Sequence, residues 1–116
     1  MEFEVSREVR TFVTLEEGAE TTACNEARAD LMETLGDLEA TGTISNGAVT
    51  AASVHEYPAA PLEPYTVSVE FTVAVVVEAE SGERATIDGE IAIDDALERA
   101  DLESISYRTT PVSSPA

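Results

Sequence analysis

The sequence predicts an α+β protein, a single antiparallel β-sheet with one main helix packed on one face. Three observations carry that expectation. From Tyr65 to Glu80 the odd positions Tyr65, Val67, Val69, Phe71, Val73, Val75, Val77 and Ala79 are all apolar, while the even positions are mostly polar. That is the period of a half-buried strand. Ala19, Ala23, Ala27, Leu31, Leu35 and Leu38 recur at spacings of three and four with acidic residues between them, the period of an amphipathic helix. Consecutive β-prone runs then follow that helix with turn signals between them, which favours antiparallel pairing over regular βαβ units.

The expected element order is β-α-β-β-β-β-α-β. The first strand runs from about Glu2 to Val13, with Phe3, Val5, Val9 and Val13 on one parity. Arg7 and Thr11 interrupt that face, and either a bulge near residue 10 or cover on both faces reconciles them. The helix follows, with Thr21 or Thr22 as candidate N-cap and Gly42 just past its end. Asn46-Gly47 between short β-prone runs is the pattern of a two-residue hairpin turn pairing Ile44 with Val49. Pro58, Pro61 and Pro64 make the segment after it an extended connector.

The Tyr65 run is expected to form a long hairpin, 65–93, with a three-residue loop at Glu80-Ser81-Gly82. That register sets Val77 opposite Ala85, Val75 opposite Ile87, Phe71 opposite Ile91 and Val69 opposite Ile93, apolar on apolar throughout. The run DDALERADL reads as a short helix, with Asp95 and Glu98 at capping-box spacing. A last strand places Ile105 and Tyr107 inward. Residues 1–109 then form one domain, and 110–116 are a Pro/Ser tail.

A chain of 116 residues is long enough for one modest core. Its charge balance is extreme: 24 acidic residues against 6 basic, a formal charge of −18, and every basic residue an arginine. The apolar residues fall in periodic runs, which argues against disorder. In this zero-lysine acidity the chain resembles, by composition only, proteins of salt-in halophiles such as haloarchaea and their viruses. The physics agrees with that resemblance. A large negative charge opposes compaction, and molar salt shortens the screening length to about 3 Å.

The same acidity argues against several partners. Nucleic acid needs clustered Lys and Arg to displace counterions, and six scattered arginines supply no such patch. Anionic membrane surfaces are disfavoured for the same reason. No run has the eighteen or so apolar residues of a membrane-spanning helix, and the charged start MEFEVSREVR does not read as a signal peptide. A single cysteine, Cys24, excludes an internal disulfide. The expected location is the cytoplasm or a virion.

Candidate chemistry is sparse. Cys24 and His55 form the one conceivable nucleophile–base pair, but no cysteine-enzyme signature surrounds either. Asp94, Asp95, Glu98 and Asp101 lie within two helical turns and could hold a cation weakly, although a calcium loop's spacing is missing. Asp88 and Glu90 would share the polar face of one strand as a carboxylate dyad. Each of these groups reads more readily as ordinary solvated or packed surface. Glycines follow no nucleotide-binding pattern. The expectation is therefore a protein with no catalytic, cofactor or metal site.

Packing supplies the functional expectation. Sixteen strand residues span roughly 50 Å, whereas a domain of this size has a radius of gyration of about 13 Å. A strand that long calls for strong coiling, a projecting arm or a second subunit. Tyr65, Val67, Val69, Ala74 and Val76 are the expected interface residues. The sequence thus points to a homo-oligomer or assembly component, for example of a halophilic virus head, neck or tail. The alternatives are a small cellular binding or regulatory domain of a haloarchaeon, with a pocket between helix and sheet, and a minor enzyme using Cys24, His55 or the carboxylates.

Overall fold

The structure is a computed structural model that describes residues 1–16, 18–60, 63–102 and 104–116. Its elements run β1 (Glu2–Leu15), α1 (Glu20–Ala40), β2 (Asn46–Glu56), β3 (Tyr65–Glu78), α2 (Gly82–Arg99), β4 (Ser106–Tyr107) and β5 (Val112–Pro115). The strands make one antiparallel sheet in the order β2-β3-β1-β4, with β5 also on β1. The fold class read from the sequence is borne out. The arrangement is a split β-α-β, in which two crossover helices lie on one face and β1 and β3 run antiparallel at the centre.

The β1–β3 ladder explains the long apolar stripe. All 14 residues of β3 pair with β1, from Leu15 opposite Tyr65 to Glu2 opposite Glu78, without a register shift. Alternation then puts Phe3, Val5 and Val9 on the same face as Val67, Val69, Phe71, Val73 and Val75, and all of these are buried. Of the two ways to reconcile Arg7 and Thr11 with that face, a bulge near residue 10 is absent from this ladder.

Both helices cover that inner face, and they start from opposite ends of it. Helix α1 begins beside Tyr65, where Tyr57 stacks edge-on against the Tyr65 ring and its hydroxyl donates to Glu20 Oε1 at 3.1 Å. It lays Ala23, Ala27, Leu31 and Leu35 on the sheet. Helix α2 begins at the other end, with Gly82 near Phe3. It buries Ala85, Gly89, Ile93, Ala96 and Leu97. The molecule is accordingly elongated, 56 × 25 × 19 Å with a radius of gyration of 15.7 Å. The excess strand length is covered by the chain's own second helix.

The 65–93 hairpin is therefore a misreading. Residues 84–93 belong to α2, whose N-cap Ser81 accepts a hydrogen bond from the Arg84 backbone N–H at 3.2 Å. Positions 85, 89, 93, 96 and 97 follow the helical period just as 85, 87, 91 and 93 follow the strand period, so the segment satisfies both templates. Topology separates them: β1 and β2 already occupy both edges of β3, leaving no ladder for a third strand. The helical solution leaves Ile87 and Ile91 exposed on the outer face of α2. The expected short helix from Asp95 is the C-terminal part of α2.

Three smaller expectations also change. Asn46-Gly47 is not a turn but the first pair of β2, and Gly47 has no positive φ. Its missing side chain lets α1 come close: a Cβ there would stand 3.1 Å from Ile44 Cδ1 and 3.2 Å from Leu35 Cβ. Neither Thr21 nor Thr22 caps α1; Ala19 holds that position without a side-chain cap. Gly42 does terminate the helix, at φ 75°. Finally, residues 110–116 are no separate tail, because β5 pairs Val112–Pro115 with Ser6–Phe3 of β1. Pro58 and Pro64 flank irregular chain as expected, while Pro61 lies outside the described residues.

Candidate interaction surface

The chemistry-bearing residues do not converge. Cys24 sits on α1, half-buried against the core on the helix side of the sheet. His55 lies on β2 with its ring 4.6 Å from that of Phe12, which points to the opposite face. The pair has a sheet between its members and cannot act as nucleophile and base. Asp88 and Glu90 point apart on α2: Asp88 meets Arg84 at 3.4 Å, whereas Glu90 meets Arg7 at 3.5 Å. The expected dyad depended on a strand that does not exist. Among the described residues, no three His, Cys, Asp or Glu side chains gather as a metal site would require, and no helix is long and apolar enough to cross a membrane.

Arg7, which breaks the apolar parity of β1, is packed into a polar joint. Its guanidinium lies 3.7 Å over the Tyr107 ring, and its Nε donates to the Thr109 carbonyl at 2.8 Å. The Tyr107 hydroxyl hydrogen-bonds Asp94. Burial first, and then that hydrogen bond, push the Tyr107 phenol well above its ordinary value, and the nearby Arg7 charge only partly offsets them. The joint ties β1, α2 and β4 together. Its donors and acceptors are mutually occupied, so it reads as structural.

Among the described residues, the other face of the sheet carries no helix. It presents Glu8, Arg10 and Phe12 of β1 beside Ser68, Glu70 and Thr72 of β3. Arg10 and Arg108 both reach Glu70 Oε1, at 3.3 and 3.5 Å. Of the expected interface residues, Val67 and Val69 are fully buried beneath the helices, Ala74 is also buried, and Tyr65 is half-buried. The chain's own helices take the place of the expected second subunit over Val67 and Val69, while Ala74 lies on the face without helices. Val76 is the one of the five that is exposed.

The two edges of the sheet differ sharply. The β1 edge is capped by β4 at Val9 and Arg10 and by β5 along Phe3–Ser6. The β2 edge has no strand beside it among the described residues. β2 is 11 residues long, contains no proline and carries one acidic residue, Glu56, at its end. Two register shifts, at Thr50 and His55, bracket a regular run in which Ala51–Val54 pair with Glu70–Val67. One outward amide is already occupied: the Gly47 N–H donates to Glu39 Oε1 at 2.7 Å. Beside this edge, Met32 of α1 is 57% exposed, and a shallow groove runs from Met32 and Gly36 to Ala48.

No protein-family model and no curated protein matches the chain. Among solved structures, it is similar to an amidase of the hydantoinase/carbamoylase family from Burkholderia multivorans, with a TM-score of 0.42 and 16% identity over 96% of this chain and 29% of that one. It is also similar to AtUAH, solved in complex with glyoxylate, with a TM-score of 0.35 and 10% identity over 99% of this chain and 28% of that one. The chain thus spans less than a third of the length of either, and at these TM-scores neither bears on what it does.

Proposed function

We propose that the chain is a non-catalytic structural or assembly component that forms homo-oligomers in concentrated salt. A small subunit in the head, neck or tail of a halophilic virus particle would have this character. The observation that supports the reading is the contrast between the two sheet edges, one closed by the chain's own C-terminal strand and one left open and almost free of charge. Exposed edges are normally blocked, because unpaired backbone groups recruit other strands. In a chain of −18, contact between copies is least opposed where carboxylates are fewest.

The salt requirement follows from the same composition. Carboxylates spread over both helices repel one another, and concentrated salt screens that repulsion. A binding or regulatory role is a second reading. It draws on an open cleft of about 430 Å³ between α1 and the end of β1, lined in part by Thr11, Leu31, Thr34 and Leu102.

Light scattering across a protein concentration series in 3 M KCl tests the proposal. The expected mass is a multiple of the 12.3 kDa chain. A mass fixed at one chain at every concentration contradicts it.

A further inference from the structure

We infer that the open edge of β2 is the joint between two copies of this chain, which pair antiparallel across a two-fold axis at Ala51–Val54 and make one sheet run through both. The inference rests on the self-association reading and names its contact. Four observations converge on a second copy as the occupant.

The first is backbone supply. An edge strand offers alternate N–H and C=O groups outward, and among the described residues of β2 the Gly47 N–H alone is met by a side chain of its own chain. The run between the two bulges is regular, as a further ladder needs. The second is charge. Residues 46–55 of β2 contain no Asp, Glu, Lys or Arg, so the two strands face each other without carboxylates of their own, and Glu39, the α1 acid on this edge, is held at Gly47, outside the 51–54 run. At the β1 edge, by contrast, Glu2, Glu4 and Glu8 alternate along the strand.

The third is size. Ala51 and Ser53 point to the open face and Ala52 to the helix side. Antiparallel partners stand about 4.5–5.5 Å apart, and residues this small leave room for that approach. The fourth is the flank. With the two-fold at Ser53, Gly47–Val49, beside which the exposed Met32 lies, face residues 57–59 of the second copy, so Met32 of each copy comes to the flank that carries the partner's exposed Tyr57. An isologous contact of this kind closes on itself and gives a dimer. A heterologous strand from another protein would satisfy the backbone but gains nothing from the repeated Met32 flank.

Hydrogen exchange of the full chain in 3 M KCl, followed by mass and by amide, tests this. The expected result is a dimer in which the outward amides of residues 51–54 exchange as slowly as those of the central strand β3, with that protection lost on dilution to monomer. A second measurement uses Ser53→Cys in a Cys24→Ala background, which should form a disulfide-linked dimer on mild oxidation while keeping the native mass. Such a bond needs Cα atoms within about 7 Å. A dimer whose 51–54 amides exchange freely and whose Ser53→Cys variant does not cross-link overturns this joint but leaves self-association standing. A monomer at all concentrations overturns both. Protection that appears only when cell extract is added to a monomeric chain assigns the edge to a different protein and also overturns the inference.

Discussion

Gly89 of α2 lies so close to Val5 of β1 that a Cβ on the glycine would stand 2.4 Å from the valine's own Cβ and 2.5 Å from both of its methyl groups. Val5 lies on the inner face and is fully buried, so it has nowhere to move. The glycine therefore sets how near the second helix comes to the sheet. Gly89→Ala should destabilise the fold by about 1–3 kcal/mol through overpacking, despite a helix-propensity gain of about 1 kcal/mol. Gly36→Ala is the control. It is exposed in α1, with no atom within 4 Å of its added Cβ, and should stabilise by up to about 1 kcal/mol. Denaturant unfolding in 3 M KCl reads both, and equal shifts for the two variants would contradict the packing.

That glycine also shows what the sequence could and could not reveal. The alternation from Tyr65 to Val77 and the Ala/Leu period of α1 each fit one template, and both elements appear where the pattern places them. Residues 82–99 fit two templates. The strand reading pairs Ile87 with Val75 and Ile91 with Phe71, and nothing local argues against that. Gly89 and Ser81 are the available signals, the first a gap on the helix face at i+4 from Ala85 and the second an N-cap, but both read equally well as strand and loop residues. Only the claim of β1 on the remaining edge of β3 decides, and long-range pairing of that kind is invisible to a window of sequence. Gly47 misleads for a related reason: a glycine after asparagine signals a turn locally, while here it makes room for Leu35 and Ile44. The open β2 edge cannot be seen until the strand order is known.

Arg7 is a charge held against the inner face, and removing it should be costly. Its guanidinium loses Tyr107, Glu90 and the Thr109 carbonyl together. Arg7→Ala should destabilise by about 2–4 kcal/mol, because partners are left unpaired and the aliphatic stem no longer packs. Glu90→Gln should cost no more than about 1 kcal/mol, since that carboxylate is 46% exposed and its ion pair is screened. Thermal or denaturant melts compare the two, and an Arg7 variant as stable as the native chain would contradict the joint.

The tyrosines give a pH signature. Tyr107 keeps its proton well above its ordinary value near 10, through burial and then its hydrogen bond to Asp94. Tyr57 is also raised, chiefly by the hydrogen bond it donates to Glu20. For a group raised on folding, the stabilisation is complete below the unfolded value and is lost as pH climbs toward the folded one. Stability should therefore fall above about pH 10, and Tyr107→Phe should flatten that fall. Phenolate absorbance should show Tyr107 ionising only well above pH 10 while the protein remains folded. An unchanged slope in the Phe variant would contradict the assignment.

Salt dependence tests the electrostatic reading separately from assembly. With 24 acidic residues against 6 basic, dilution from 3 M to 0.1 M KCl lengthens the screening distance from under about 3 Å to about 10 Å. Circular dichroism should show helix and sheet signals lost at the low end and recovered on restoring salt. A spectrum and melting temperature that stay flat across that range would contradict adaptation to high salt.

The central claim is that copies join side by side through β2, and small-angle X-ray scattering in 3 M KCl reads this from shape. The single chain has a radius of gyration of 15.7 Å and a longest extent of 56 Å. The predicted result is a particle of twice the single-chain mass whose radius of gyration clearly exceeds 15.7 Å and whose longest dimension stays well short of twice 56 Å, because the copies lie side by side with a stagger of about 20 Å set by the pairing of Ser53 with Ser68, near the Tyr65 end of β3. A radius of gyration that stays at the single-chain value at every protein concentration, or a particle doubled along its long axis, would contradict it.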